Sequence, residues 1–180
     1  LGHSCDAEKN LPFDKVIDML KGLFNHRELT VVGQNFKYDM NVVKKYSINF
    51  KTSIEDTMLM SYVLNSGGKH DLGTLASNFL DHEAISYEDV VGKGKDQITF
   101  ADVDIQKAVT YACEDSDLTL LLYEKLKSKL LKDKRLYDVY TNIEIKLMLI
   151  IAEMEYLGVS IDNKELDKQS NNLKKRIEKI

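Results

Sequence analysis

The sequence predicts an α/β fold that is mainly helical, with a remnant of a parallel sheet. Three observations predict it. Apolar residues recur at helical spacing along most of the 180 residues. Only two short stretches, Leu29 to Val32 and Ser53 to Asp56, read as strands. The first of these runs straight into a helix carrying polar side chains, the order that presents ligand-binding groups at the carboxyl ends of parallel strands.

The elements follow in order. Phe13, Val16, Ile17, Leu20, Leu23 and Phe24 mark a core-facing helix ending near Asn25, with Asn10 and Pro12 where a helix start favours them. Leu29 to Val32, closed by Gly33, suits a buried parallel strand whose carboxyl end delivers Gln34 and Asn35 to a crevice. The helix from about Asn35 to Tyr46 begins there, so its free backbone N–H groups lie beside Asp39. Ser53 to Asp56 forms a last short strand, leading into a helix through Met58, Leu59, Tyr62 and Val63 that Ser66-Gly67-Gly68-Lys69 breaks. Asp71 restarts a helix with a core stripe of Leu72, Leu75, Ala76, Phe79 and Leu80.

From Ile85 to Phe100 the text changes to a polar loop containing Tyr87, followed by the basic Gly92-Lys93-Gly94-Lys95. Asp104 to about Leu130 reads as one long helix, buried along Ile105, Ala108, Val109, Ala112, Leu118, Leu122, Leu126 and Leu130. Lys132-Asp133-Lys134-Arg135 marks a break. Beyond it, Ile143, Leu147, Ile150, Ile151, Met154 and Leu157 make a strongly apolar helix stopped by Gly158. A last helix from about Asn163 carries a thin stripe of Leu166, Ser170, Leu173, Ile177 and Ile180, a seam that wants a partner helix. The chain divides into 1–131 and a second unit, 132–180.

Composition excludes several classes. Hydrophobic content of 43% beside 30% charged residues fits a soluble globular protein. No apolar run approaches the roughly 20 residues needed to span a bilayer, and no signal peptide opens the chain. Cys5 and Cys113 lack metal-ligand spacing and read as reduced thiols of a cytoplasmic protein. A net charge of -4 gives no basic footprint for nucleic acid, but carboxylates that hold divalent cations reverse the local sign.

The chemistry concentrates in Tyr111-Ala112-Cys113-Glu114-Asp115, where a phenol and a carboxylate four apart share one helix face. A second carboxylate, Asp39, opens the helix after the first strand. Two distant carboxylates on elements that could aim them inward suggest a metal site acting on phosphate. Each alone also reads as a solvated charge, and the tyrosine as packing.

Together, Gln34-Asn35-Phe36-Lys37-Tyr38-Asp39, Asp56-Thr57-Met58-Leu59, Tyr62-Val63-Leu64-Asn65-Ser66, Gly92-Lys93-Gly94-Lys95, Tyr111-Ala112-Cys113-Glu114-Asp115 and Leu157-Gly158-Val159-Ser160-Ile161-Asp162 resemble, in order, the 3'-5' proofreading exonuclease domain of bacterial family A DNA polymerases. The resemblance implies a ribonuclease H-like 3'-5' exonuclease fold, truncated at the N-terminus, for 1–131. It implies connecting and thumb-like helices at the start of a polymerase domain for 132–180. Two divalent ions, Mg²⁺ or Mn²⁺, would sit on either side of a scissile phosphate, one generating hydroxide and the other stabilising the leaving 3' oxygen. By the same resemblance Asp115 is a direct metal ligand, Asp39 supports the second ion and Tyr111 orients the attacking water. Gln34, Asn35, Lys37, Tyr38, Met58, Lys69 and Tyr87 would contact the single-stranded 3' end of DNA, with Tyr87 stacking on a base. The resemblance also implies a cytoplasmic, nucleoid-associated bacterial protein in DNA replication and repair. Asn35 as a simple helix cap, Lys37 as surface charge, Met58 as core filler and 85–100 as a solvated loop remain open beside those roles.

The family's first motif, an Asp-x-Glu on an apolar strand, has no counterpart. Asp6-Ala7-Glu8 has the form, but its flanks lack strand alternation. The expectation is therefore a fragment, inactive alone, whose partners are DNA, the missing N-terminal strands and a polymerase domain. Two rivals explain part of the pattern: a ribonuclease D-like exoribonuclease, and a vestigial exonuclease domain kept as a scaffold.

Overall fold

A computed structural model of the chain describes residues 2–4, 8 and 10–179. Cys5 and the Asp6 of the Asp-x-Glu decoy lie outside the described residues, as does Ile180 of the last helical stripe. The first helix, α1 (Phe13–Phe24), starts after Pro12, whose backbone is pre-set for that position. Strand β1 (Thr30–Gly33) and helix α2 (Phe36–Lys44) follow, then β2 (Ser53–Asp56), α3 (Thr57–Leu64) and α4 (Leu72–Leu80). The two strands pair in parallel, Thr30 opposite Ser53 through Gly33 opposite Asp56. This is the sheet remnant that the sequence predicts.

Gly33 is where the backbone must be bare. A Cβ there would lie 2.4 Å from the Phe36 ring, which is itself buried and packs edge-on against Phe50 at 5.3 Å. The expected buried strand is only half-covered, however: Thr30 is exposed and Val31 and Val32 are half-buried. Among the described residues β1 has one strand neighbour, so its second edge has nothing to bury against. For the same reason α1 buries only Ile17, while Phe13 and Leu23 of its predicted core stripe stay exposed.

The main core lies where α3, α4 and the long helix α6 meet. The predicted stripe of α6 (Ile105–Leu130) places Leu122, Leu126 and Leu130 against Met60, Leu75 and Tyr140, all fully buried or nearly so. Val109 and Ala112 stay exposed instead, although Ala108 beside them packs with Val90, Val91 and Val103. Aspartate caps start three of these helices: Asp56 on α3, Asp71 on α4 and Asp104 on α6 each accept backbone N–H bonds from the first turn.

The segment 85–100 is more ordered than a polar loop. Ser86 and Asp89 form a capping box that starts α5 (Tyr87–Val91), and Val90 and Val91 pack on Val103 and Ala108. Two short 3-10 turns, Gly94–Asp96 and Phe100–Asp102, complete the segment. Lys93 of the basic stretch is ion-paired with Glu88 at 2.5 Å.

After the break at 131–133 come α7 (Lys134–Val139), a π-helical turn (Tyr140–Glu144) and α8 (Ile145–Leu157), stopped by Gly158 at φ 71°. Leu136, Tyr137, Tyr140 and Ile145 join the main core. The face of α8 that is buried carries Met148 and Ala152, whereas Ile143, Leu147, Ile150, Met154 and Leu157 of the predicted stripe are exposed. The final helix, α9 (Asn163–Ile177), has no buried residue, so its apolar seam remains open.

Candidate nuclease cleft

The end of β1, the first turn of α2, the start of α4, the 84–87 segment and the middle of α6 surround a cleft of about 820 Å³. Asp39, Tyr111, Asp115, Gln34 and Tyr87 all line it, together with Asp71 and Ser116. The three residues to which the sequence assigns chemistry thus share one cavity, though they come from helices far apart in the chain.

The electrostatics of the site follow from partial burial. Burial is the main cause that pushes the carboxyls of both Asp39 and Asp115 above the usual aspartate range. The charge of Asp56 adds to the effect at Asp39, and that of Glu114 at Asp115. The Tyr111 phenol is pushed up to about 12, first by burial and then by the charge of Asp115, which shares its face of α6.

The donor set is nevertheless incomplete. Among the described residues no group of three or more His, Cys, Asp or Glu side chains could hold a metal ion. Asp39 and Asp115 are two oxygen-donor side chains, and an ion such as Mg²⁺ fills most of its roughly six positions with water or phosphate oxygens.

The predicted DNA contacts divide between surfaces. Gln34 lines the cleft, but its amide is used at both ends: Nε2 donates to the His70 carbonyl at 2.7 Å, and Oε1 accepts from the Thr57 hydroxyl at 2.5 Å. Asn35, Lys37 and Tyr38 line a separate groove on the outer side of α2, with Asn41, Val42, Lys45 and Glu155. Lys37 is there ion-paired with Glu155 of α8 at 2.5 Å, and Tyr38 is widely exposed. Asn35 adopts the left-handed conformation at φ 58° and makes no side-chain cap bond to α2. Met58 is half-buried beside Asn35, Lys37 and Met148. Lys69 is exposed in the turn before α4, where its charge helps hold the Asp71 carboxyl below its usual range, behind the larger effect of the Thr74 N–H. Tyr87 is half-exposed at the cleft wall, stacked at 18° on Phe100 with centroids 6.2 Å apart and edge-on to Tyr111 at 6.5 Å.

Three residues to which the sequence reading gave no role in the site hold this arrangement. Glu114, within the Tyr111–Asp115 motif, accepts from the Ile85 backbone N–H at 2.7 Å and faces His82 Nε2 at 2.9 Å. It thereby ties the wall that carries Tyr87 to α6. Lys107 Nζ reinforces the tie by donating to the carbonyls of Asp89 and Val90. Asp56, 1% exposed, joins the starts of α2 and α3 by accepting from the N–H groups of Phe36, Met58 and Leu59 at 2.8, 2.8 and 3.1 Å, and of Asn35 at 3.4 Å. The capping-box spacing of Ser86 and Asp89 was readable in sequence; the partners of Glu114 were not, because they lie some 30 residues away.

Comparison with known proteins bears on all of these positions. A family described as 3'-5' exonuclease matches residues 3–131, which include every candidate site residue. DNA polymerase I of Rhizobium leguminosarum is 40% identical over 168 residues, covering 93% of this chain and 16% of that protein. DNA polymerase I of Pseudomonas aeruginosa is 40% identical over 177 residues, covering 96% and 19%. A DNA polymerase of Escherichia phage T5 is 28% identical, covering 89% and 21%. The chain spans about a fifth or less of the length of the two bacterial relatives.

Proposed function

From the premise that this chain belongs to the 3'-5' exonuclease family, we propose that its cleft is the part of a proofreading centre that receives the 3' end of single-stranded DNA and helps to hydrolyse its terminal nucleotide, within a longer DNA polymerase. The observation that carries this reading is the convergence of Asp39, Tyr111 and Asp115 on one cleft. Asp39 and Asp115 each contribute one carboxylate to a divalent-metal centre, and donors from outside the described residues complete it. When bound, such ions supply an activated water and charge for the leaving oxygen. Tyr111 keeps its proton at neutral pH, so its hydroxyl can hold and orient a water next to Asp115. Tyr87, held at the cleft wall, offers half of its ring to a base, a contact worth about 1–3 kcal/mol and indifferent to sequence.

The test compares degradation of 3'-tailed DNA and RNA by the isolated chain and by the longer protein, with Mg²⁺ or Mn²⁺. The isolated chain is expected to be inactive. The longer protein is expected to shorten DNA and to lose at least about a hundredfold in rate with Asp115→Ala. Activity of the isolated chain that Asp115→Ala abolishes would overturn the incompleteness of the centre. An unaffected Asp115→Ala protein would overturn the assignment itself, and a preference for RNA would replace the substrate.

A further inference from the structure

Tyr140 lies beyond the stretch that the family matches, yet it is completely buried. Its hydroxyl accepts the backbone N–H of Asp56 at 2.9 Å and donates to Glu55 Oε2 at 2.7 Å. The other oxygen of Glu55 takes the Lys127 ammonium at 2.8 Å, and Lys127 in turn donates to the Tyr123 hydroxyl at 2.6 Å. The carboxyl end of β2 is therefore pinned from below by α6 and from the side by the π-helical turn. Asp56, so fixed, uses its carboxylate to hold the N–H groups of Asn35 and Phe36. Helix α2 has no side-chain cap of its own, and Asp39 sits in its first turn. A single chain of hydrogen bonds thus runs from Tyr140 through Asp56 to the turn that aims Asp39 into the cleft.

The same helix is gripped along its length by α8. Lys37 pairs with Glu155, Lys44 pairs with Glu153, and Lys44 lies 4.3 Å from the centre of the Tyr156 ring. Residues 140–156 accordingly bear on the Asp39-carrying helix at its start and along its outer side, while Tyr111 and Asp115 on α6 make none of these contacts.

We infer that Tyr140, acting through Asp56, is a positioning residue for Asp39, so that the segment beyond residue 131 sets the geometry of one side of the nuclease cleft. The inference rests on the proposed role of Asp39, and it makes the helices following the family match a route by which the rest of the protein can alter that side alone. A chain of hydrogen bonds that serves only stability would affect both sides of the cleft alike.

Tyr140→Phe keeps the buried ring and removes only the hydroxyl. In ¹H–¹⁵N spectra and amide exchange of the 180-residue chain, the amides of Phe36 and Asp39 are expected to shift and to exchange about tenfold faster, as the loss of one buried hydrogen bond allows. Those of Tyr111 and Asp115 are expected to stay at their wild-type positions and rates. Glu55→Gln keeps a neutral acceptor for the hydroxyl and should give a smaller change of the same sign, which preserves the test if Tyr140→Phe does not fold. No change at Phe36 and Asp39 in either variant, or an equal change at all four residues, would overturn the inference. Broadening of Asp39 and Asp115 resonances by Mn²⁺ is read separately on the longer protein: its absence would count against the nuclease reading and leave the positioning result standing.

Discussion

Removing the Glu114 carboxylate should loosen one wall of the cleft without dismantling the core. Glu114→Ala takes away the acceptor of the Ile85 N–H at 2.7 Å and the partner of His82 at 2.9 Å. A hydrogen bond to a charged group contributes about 1.5–3 kcal/mol. Glu114 retains 20% side-chain exposure and His82 46%, so water screens both contacts and about 1 kcal/mol is the expected loss. That corresponds to roughly a fivefold increase in local opening of 82–87, since 1.4 kcal/mol is tenfold. Amide exchange at Ile85, Ser86 and Tyr87 measures it directly, and Leu122 and Leu126 in the core serve as the internal reference. The pH dependence follows from the same bonds. The His82 contact and then the Ile85 N–H hold the Glu114 carboxyl below its ordinary 4.5. A depressed folded-state value means that the stabilisation is present above about 4.5 and is lost as pH falls through the lower, folded-state value. Protection at Ile85 should therefore fall on acidification in the wild type, and Glu114→Gln should remove that dependence. Unchanged exchange at Ile85 to Tyr87 in Glu114→Ala, or an equal increase at Leu122 and Leu126, would refute the reasoning.

Other outcomes are open to measurement. Asp115→Asn should bring the Tyr111 phenol down from about 12 towards 10 without reaching it, because burial is the larger cause; ¹³C-labelled tyrosine NMR would follow it. Since the folded-state value of Tyr111 is raised, its contribution to stability is present below pH 10 and is lost as pH rises through about 12, so alkaline unfolding of Asp115→Asn should change in that window. Leu126→Ala, at a fully buried position among Met60, Leu122 and Tyr140, should cost about 3 kcal/mol in urea unfolding. Glu155→Gln breaks a surface ion pair and should change stability by no more than about 0.5 kcal/mol, while freeing Lys37 to bind a single-stranded oligonucleotide more tightly in fluorescence anisotropy.

Much was legible in the sequence because it rests on local rules. The periodicity of α6 and the caps at Asp71 and Asp104 specify helices through contacts within a few residues, and the four-residue spacing of Tyr111 and Asp115 is itself a statement about one helix face. The association of Asp39 with that pair came from motif resemblance, and in the fold the three residues line one cleft. Local rules fail where burial is decided by what lies opposite. Nothing in the strongly apolar text of α8 says that Met148 and Ala152, rather than Ile150 and Met154, face the protein. The half-covered β1 likewise depends on a neighbour that its own residues cannot supply.

Sequence by itself determined most of the helices, α5 and α7 excepted, and which side chains could do chemistry, since those properties follow from backbone sterics and short-range spacing. Only the tertiary structure decided that Glu114 secures the Tyr87 wall and that Tyr140, outside the family match, reaches Asp56 and through it the turn bearing Asp39. The physical reason is that a buried polar group must find a partner wherever the packing puts one, and for Asp56 that partner lies 84 residues along the chain.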